Sequence, residues 1–138
     1  MKISKIFKCG LFLMTILIVS YGLSLQAQEI PTLEGTSWDI SVVSVVTFQT
    51  TSATLTFSGG QVAINNWIFD LNPGTYVETP QRQIISFNAA LEKPGVLQTQ
   101  IFEIQGAAMG ENIVIGLLHN VTTQMYYIFL GEPLPVVQ

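Results

Sequence analysis

From Thr36 onward the chain is a succession of short runs of β-branched and aromatic residues, with turn signals at a spacing of roughly 8 to 12 residues. "SATLTF" (Ser52–Phe57) alternates strictly, Leu55 and Phe57 falling on one face and Thr54 and Thr56 on the other, which predicts a half-buried strand. "SGGQ" behind it predicts a tight hairpin turn, and "VAINNWIFDL" (Val62–Leu71) is the returning strand. Upstream, "TSWDISVVSVVTF" (Thr36–Phe48) is a first strand or strand pair. Downstream, "NPG" at Asn72–Gly74 turns the chain into "TYVET", a short strand that Pro80 should stop. "QIISFNAAL" follows and closes on "EKPG", and "VLQTQIFEI" ends in a flexible "QGAAMGEN". "IVIGLLH" and "QMYYIFLG" flank "NVTT", and "EPLPVVQ" is an extended, weakly ordered tail. One helix is credible, at "SFNAALEK" (Ser86–Lys93), where good helix formers precede Pro94.

About eight strands with little helix make an all-β domain, a single antiparallel barrel with a β-sandwich as the alternative. "IVIGLL" and "MYYIFL" break the alternation, being apolar at odd and even positions alike. Such a strand has a core on one side and a further core, a partner or a ligand on the other.

The entry to the barrel carries a resemblance. Leu33, Gly35 and Trp38, followed by Thr54, Leu55, Thr56, Phe57 and Gly60, resemble the opening of calycin-like barrels, either lipocalin-like domains or the META-like domains of exported bacterial proteins. Two residues separate Gly35 from Trp38 where lipocalins have one, and "VAINN" stands where META-like chains carry a Cys-Asn pair. The resemblance implies that Gly35 turns the chain into a barrel, that Thr36 and Ser37 satisfy backbone groups, and that Trp38 lies across one end.

The N-terminus changes the compartment. Lys2, Lys5 and Lys8 precede an apolar run from Cys9 to Leu25, the arrangement of a secretory signal, with cleavage expected after Ala27. The run falls short of the ~20 residues that span a bilayer, so no stable membrane span is expected after cleavage. Cys9 precedes the apolar run instead of following it, which argues against a lipidated anchor. Residues 28–138 are then a single β-barrel domain, secreted or periplasmic. Loss of residues 1–27 removes three of the five basic residues and none of the nine acidic ones, leaving a net charge of −7. A chain so poor in Lys and Arg is not expected to bind nucleic acid. The mature part also lacks cysteine, which excludes disulfides and thiolate chemistry there.

Catalytic constellations are missing from the sequence. His119 is the sole histidine, without a second His or a Cys to share a metal. There is no G-x-S-x-G elbow, no phosphate loop ahead of a helix and no D-x-D-x-D-G calcium loop. Asp39, Asp70, Glu78, Glu92, Glu103 and Glu111 are scattered, as solvated charges would be. No enzyme, cofactor or metal is expected. The aromatics remain: Trp38, Trp67, Phe69, Tyr76, Phe102, Tyr127 and Phe129 are the candidates to line a ligand site, although rings at such positions ordinarily build core. Two readings follow. In one, the domain is a non-enzymatic, lipocalin-like binder of a small apolar or amphipathic ligand. In the other, it is a structural or interaction subunit whose apolar strand face meets a protein, a second copy in the simplest case.

Overall fold

The computed structural model describes residues 32–135. It is all-β and has no helix among those residues: β1 (Ser37–Ser44), β2 (Thr50–Ser58), β3 (Gln61–Asn65), β4 (Gly74–Gln81), β5 (Ile84–Lys93), β6 (Gln100–Met109), β7 (Ile113–Asn120) and β8 (Met125–Pro133). Each strand pairs antiparallel with the next, and β8 returns to β1 with Trp38 opposite Pro133 and Ser44 opposite Tyr127. The result is a closed eight-stranded barrel, whose thinnest seam is between β3 and β4, matched at only two residue pairs. The expected signal segment, its cleavage point and the last three residues of the tail lie outside the described residues.

Alternation decides most of it. Ile40 and Val42 on β1, Leu55 and Phe57 on β2, Ile85, Phe87 and Leu91 on β5, and Phe102 and Ile104 on β6 all point inward and are buried. At "SGGQ" both Gly59 and Gly60 take positive φ (63° and 76°), the tight two-residue hairpin expected there.

Four local expectations are corrected. "SFNAALEK" is strand, not helix: it forms most of β5, which pairs from Ile84↔Met109 to Lys93↔Gln100. Its helix propensity is a weak preference beside a ten-residue ladder and the burial of Phe87 and Leu91. Pro80 does not stop β4, which runs on to Gln81 and turns at Arg82 (φ 56°). Below Gly74 and Thr75 the strand pairs only with β5, and an edge facing no other strand tolerates a proline. "QGAAM" is not flexible, because β6 continues through it to Met109. "VAINNWIFDL" is not one strand either. β3 ends at Asn65, Asn66 takes φ 60°, and Trp67 belongs to the connection to β4.

Gly106 and Gly116 explain why the small residues of β6 and β7 belong in strands. They sit opposite each other and face inward. A Cβ on Gly106 would lie 2.7 Å from Phe87 Cζ and 3.0 Å from Phe129 Cζ, and one on Gly116 would lie 2.4 Å from Phe129 Cζ. The rings of Phe87 and Phe129 (centroids 6.5 Å apart) thus press on bare backbone, and Phe57 meets Phe87 edge-to-face at 4.9 Å. Aromatic rings fill the waist of the barrel.

The two-faced apolar strands also resolve. Val114, Gly116 and Leu118 of β7 face inward, while Ile113, Ile115 and Leu117 face outward, Ile115 paired with Leu130 and Leu117 with Ile128 of β8. Ala107, Met109 and Leu117 are buried yet stand apart from the core cluster. The outer wall over β6–β8 is therefore a second apolar surface.

Candidate functional site at the upper mouth

The chain enters at what we call the floor and sends its β1–β2, β3–β4, β5–β6 and β7–β8 connections to the opposite end, the mouth.

The floor is sealed by the entry segment. Gly35 (φ 83°) turns the chain and donates its N–H to Phe57 O at 2.7 Å. Leu33 is fully buried, and Thr36 Oγ1 donates to Leu33 O (2.6 Å) while accepting from Trp38 Nε1 (3.0 Å). Glu78 receives both Thr32 Oγ1 (2.6 Å) and the Leu33 N–H (2.9 Å). Beside it, Tyr76 Oη donates to Glu34 at 2.7 Å, and the Gly60 N–H reaches both Glu34 oxygens at 3.2 Å. The Tyr76 bond first, then that from Gly60, holds the Glu34 carboxyl below its ordinary value of 4.5. Desolvation first, then Glu34 beside it, pushes the Tyr76 phenol well above its ordinary 10.0.

This clip has a pH window. Glu34's lowered value stabilises the fold above the ordinary carboxylate value, and that contribution is lost as pH falls through the lowered one. Tyr76's raised value does the reverse, being fully stabilising below pH 10.0 and lost as pH climbs beyond it. The melting temperature should form a plateau between these limits. In Tyr76→Phe the alkaline fall should shrink, leaving what Tyr127, also raised by burial, contributes. Melting curves followed by circular dichroism from pH 3 to 11 check this; an alkaline limb unchanged in Tyr76→Phe would show that the phenol is not responsible.

The mouth is built differently. Trp67 turns in from the β3–β4 connection and is buried, its Nε1 donating to Thr51 Oγ1 at 2.8 Å. Its indole meets Phe69 (5.2 Å), Tyr127 (5.3 Å) and Phe102 (6.1 Å), all near-perpendicular. Lys93 Nζ lies 4.2 Å from the centre of the Phe69 ring and ties β5 to the same cluster. Beside this plug is a groove of about 190 Å3, lined by Val42, Ser44, Thr47, Gln49, Thr51, Ile68, Met125 and Tyr127.

The seven aromatic candidates do not form one site. Trp67, Phe69, Phe102 and Tyr127 converge at the mouth, and of these only Tyr127 lines the groove. Phe129 fills the waist, Trp38 seals the floor, and Tyr76 clips Glu34 with its ring against Phe57 at 5.0 Å. Of the groove's other lining residues, Thr47, Gln49 and Ile68 come from connections whose folding back over the mouth has no periodic signal, and Val42, Ser44, Thr51 and Met125 hold ordinary strand positions. His119 stacks on Tyr126 at 4.2 Å, with Gln124 Oε1 3.3 Å from its Nε2. Among the described residues, no three His, Cys, Asp or Glu side chains converge as a metal site, and no buried side-chain nitrogen or oxygen lacks a hydrogen-bond partner.

No protein-family model, no curated protein and no solved structure matches this chain.

Proposed function

We propose that the protein is an exported, non-enzymatic binding domain that takes an apolar or amphipathic molecule at the mouth of the barrel. One observation carries this reading. The groove beside Trp67 brings apolar side chains (Val42, Tyr127, Met125, Ile68) together with hydroxyl and amide groups (Ser44, Thr47, Gln49, Thr51). Apolar walls with a few polar groups are what a small amphipathic ligand needs. The volume sets the size. About 190 Å3 is below the ~300 Å3 at which whole-ligand pockets begin, so the groove suits one alkyl end or a single ring. The packed waist favours the mouth over the barrel interior as the place of binding.

A second reading rests on the outer wall of β7 and β8. There Ile115 pairs with Leu130 and Leu117 with Ile128, and a cleft of about 400 Å3 is lined by Ile113 and Leu130 with Asp39 and Glu132. That wall would serve as a protein interface, between two copies of the chain in the simplest case.

Native mass spectrometry of the gently isolated protein separates the two. The first reading expects a monomer carrying a mass of a few hundred daltons, and the second a clean dimer. Titration with dihexanoylphosphatidylcholine below its micelle concentration then tests the groove, followed by calorimetry. Ile68→Asp, at a residue 63% exposed, should weaken binding about tenfold or more, the loss expected when one apolar contact becomes a charge. Equal affinity in wild type and variant would remove the groove from consideration.

A further inference from the structure

We propose that the protein docks end-on, mouth first, onto a neutral lipid surface, with the tips of three loops entering the headgroup region. This rests on the mouth being the working end and adds where the ligand is met.

Among the described residues, six of the eleven exposed large hydrophobic side chains crowd at this one end: Val45 (38%), Val46 (64%), Phe48 (77%), Ile68 (63%), Val96 (104%) and Leu97 (99%). Scattered apolar residues on a surface need no explanation, but a cluster at one pole does. Each tip is also held outward by a built turn. In the β1–β2 turn, Ser44 Oγ accepts from the N–H groups of Val46 and Thr47 (3.3 Å each), Phe48 N–H bonds Ser44 O (2.9 Å), and Val45 N–H bonds Tyr126 O (3.0 Å). In the β3–β4 connection, anchoring Trp67 inward leaves Ile68 facing out. In the β5–β6 connection, Gly95 folds so tightly that a Cβ on it would lie 2.3 Å from Gln98 O, with Val96 and Leu97 between them. Turn positions ordinarily carry Gly, Asn, Asp or Ser.

Phe48 is the sharpest of these. Its φ is 58°, a conformation that a bulky side chain adopts only at a cost. A ring that is both strained and in water does nothing for the stability of the barrel, so its use lies outside the fold.

The chemistry of the surface names the occupant. Val96 and Leu97 stand clear of the barrel, with no surrounding wall to receive a shaped protein partner, whereas a fluid lipid interface accommodates separate projecting tips. Charge selects the lipid. Of the two basic residues in the described part, Arg82 is in the floor-side β4–β5 turn and Lys93 is engaged over Phe69, while Asp70, Glu92 and Glu103 lie towards the mouth. Nothing there would draw in anionic headgroups, which attract clusters of Lys and Arg. Binding should therefore be driven by apolar burial, and be strongest on zwitterionic membranes and insensitive to salt.

The test is flotation with phosphatidylcholine vesicles, using protein as the cell leaves it with its N-terminus read by mass spectrometry. The expected result is association that persists in 1 M NaCl. It should fall about tenfold or more for each tip replaced, in Phe48→Asn, Leu97→Ser and the combined Val46→Ser/Phe48→Asn/Leu97→Ser variant. These positions are exposed, and Phe48→Asn relieves the φ strain, so that variant should melt no lower than wild type while binding less. Association confined to phosphatidylserine-containing vesicles and abolished by salt would overturn the proposal, and so would flotation unchanged in the triple variant. If the soluble short-chain lipid binds the groove but vesicles do not, end-on docking fails and the groove reading stands. If neither binds, both fall.

Discussion

Gly116→Ala is expected to destabilise the barrel by about 3 kcal/mol, the upper part of the range for overpacking a well-filled core. The added methyl has nowhere to go. It would sit 2.3 Å from Gln105 O, 2.4 Å from Phe129 Cζ and 2.7 Å from Gly106 Cα. Two of those three atoms are backbone of the neighbouring strand, so relief requires β6 and β7 to part, and their ladder runs from Phe102↔Asn120 to Met109↔Ile113. Gly59→Ala makes the instructive contrast, because a Cβ there meets nothing within 4 Å and only the positive φ is at stake. That change should cost about 1–2 kcal/mol, the penalty of left-handed backbone for an L-residue. Urea unfolding at neutral pH checks both, as a drop in midpoint at constant slope. Trimming Phe129 to Leu in the Gly116→Ala background should restore part of the loss, since it removes the ring contact and leaves Gln105 O where it was. A Gly116→Ala protein as stable as wild type would mean that the waist is loosely packed, and the lumen would then return as a place for a ligand.

That glycine pair shows where the sequence was readable and where it was not. The number of strands, the barrel and the hairpin at Gly59–Gly60 follow from alternation and turn residues, which act over a few neighbours along the chain, whereas the place of Trp38 at one end was only what the resemblance of the entry segment implied. Gly106 looked like part of a flexible stretch because the rings that need its empty space, Phe87 and Phe129, come from β5 and β8, and Gly116, inside a run read as strand, gave no sign of the same contact. "SFNAALEK" looked helical for the same reason, since its own residues favour a helix and only the partners on β4 and β6 make it a strand. The aromatics stood out as a group, but their sorting into floor, waist and mouth depends on register. The tips were the least legible of all. Val46, Phe48 and Leu97 read as ordinary strand residues until the turns that expose them are seen.

Trp67→Ala should carry an effect of similar size and should act on function as well as stability. The side chain is 8% exposed, packs edge-on against three rings and closes the end that the β3–β4 connection spans. Removing a buried Trp ordinarily costs about 3–5 kcal/mol, and the lower half of that range is expected here. The seam beneath the loop is already thin, with β3 and β4 matched only at Gln61↔Thr75 and Val62↔Gly74, so the loop can settle partly into the vacated space. Two consequences distinguish a plug from an ordinary core residue. Thr51 Oγ1 loses its indole donor, and Ile68 loses the anchor that turns it outward, so the groove should lose its shape before the barrel loses its fold. Calorimetry with dihexanoylphosphatidylcholine should then show binding abolished in Trp67→Ala at a temperature where circular dichroism still reports a folded barrel. Trp67→Phe, which keeps the ring contacts but not the Nε1 bond, should fall between the two. Full affinity in a destabilised Trp67→Ala protein would make the indole a structural plug and nothing more, and would leave Tyr127 and Met125 as the residues to change next.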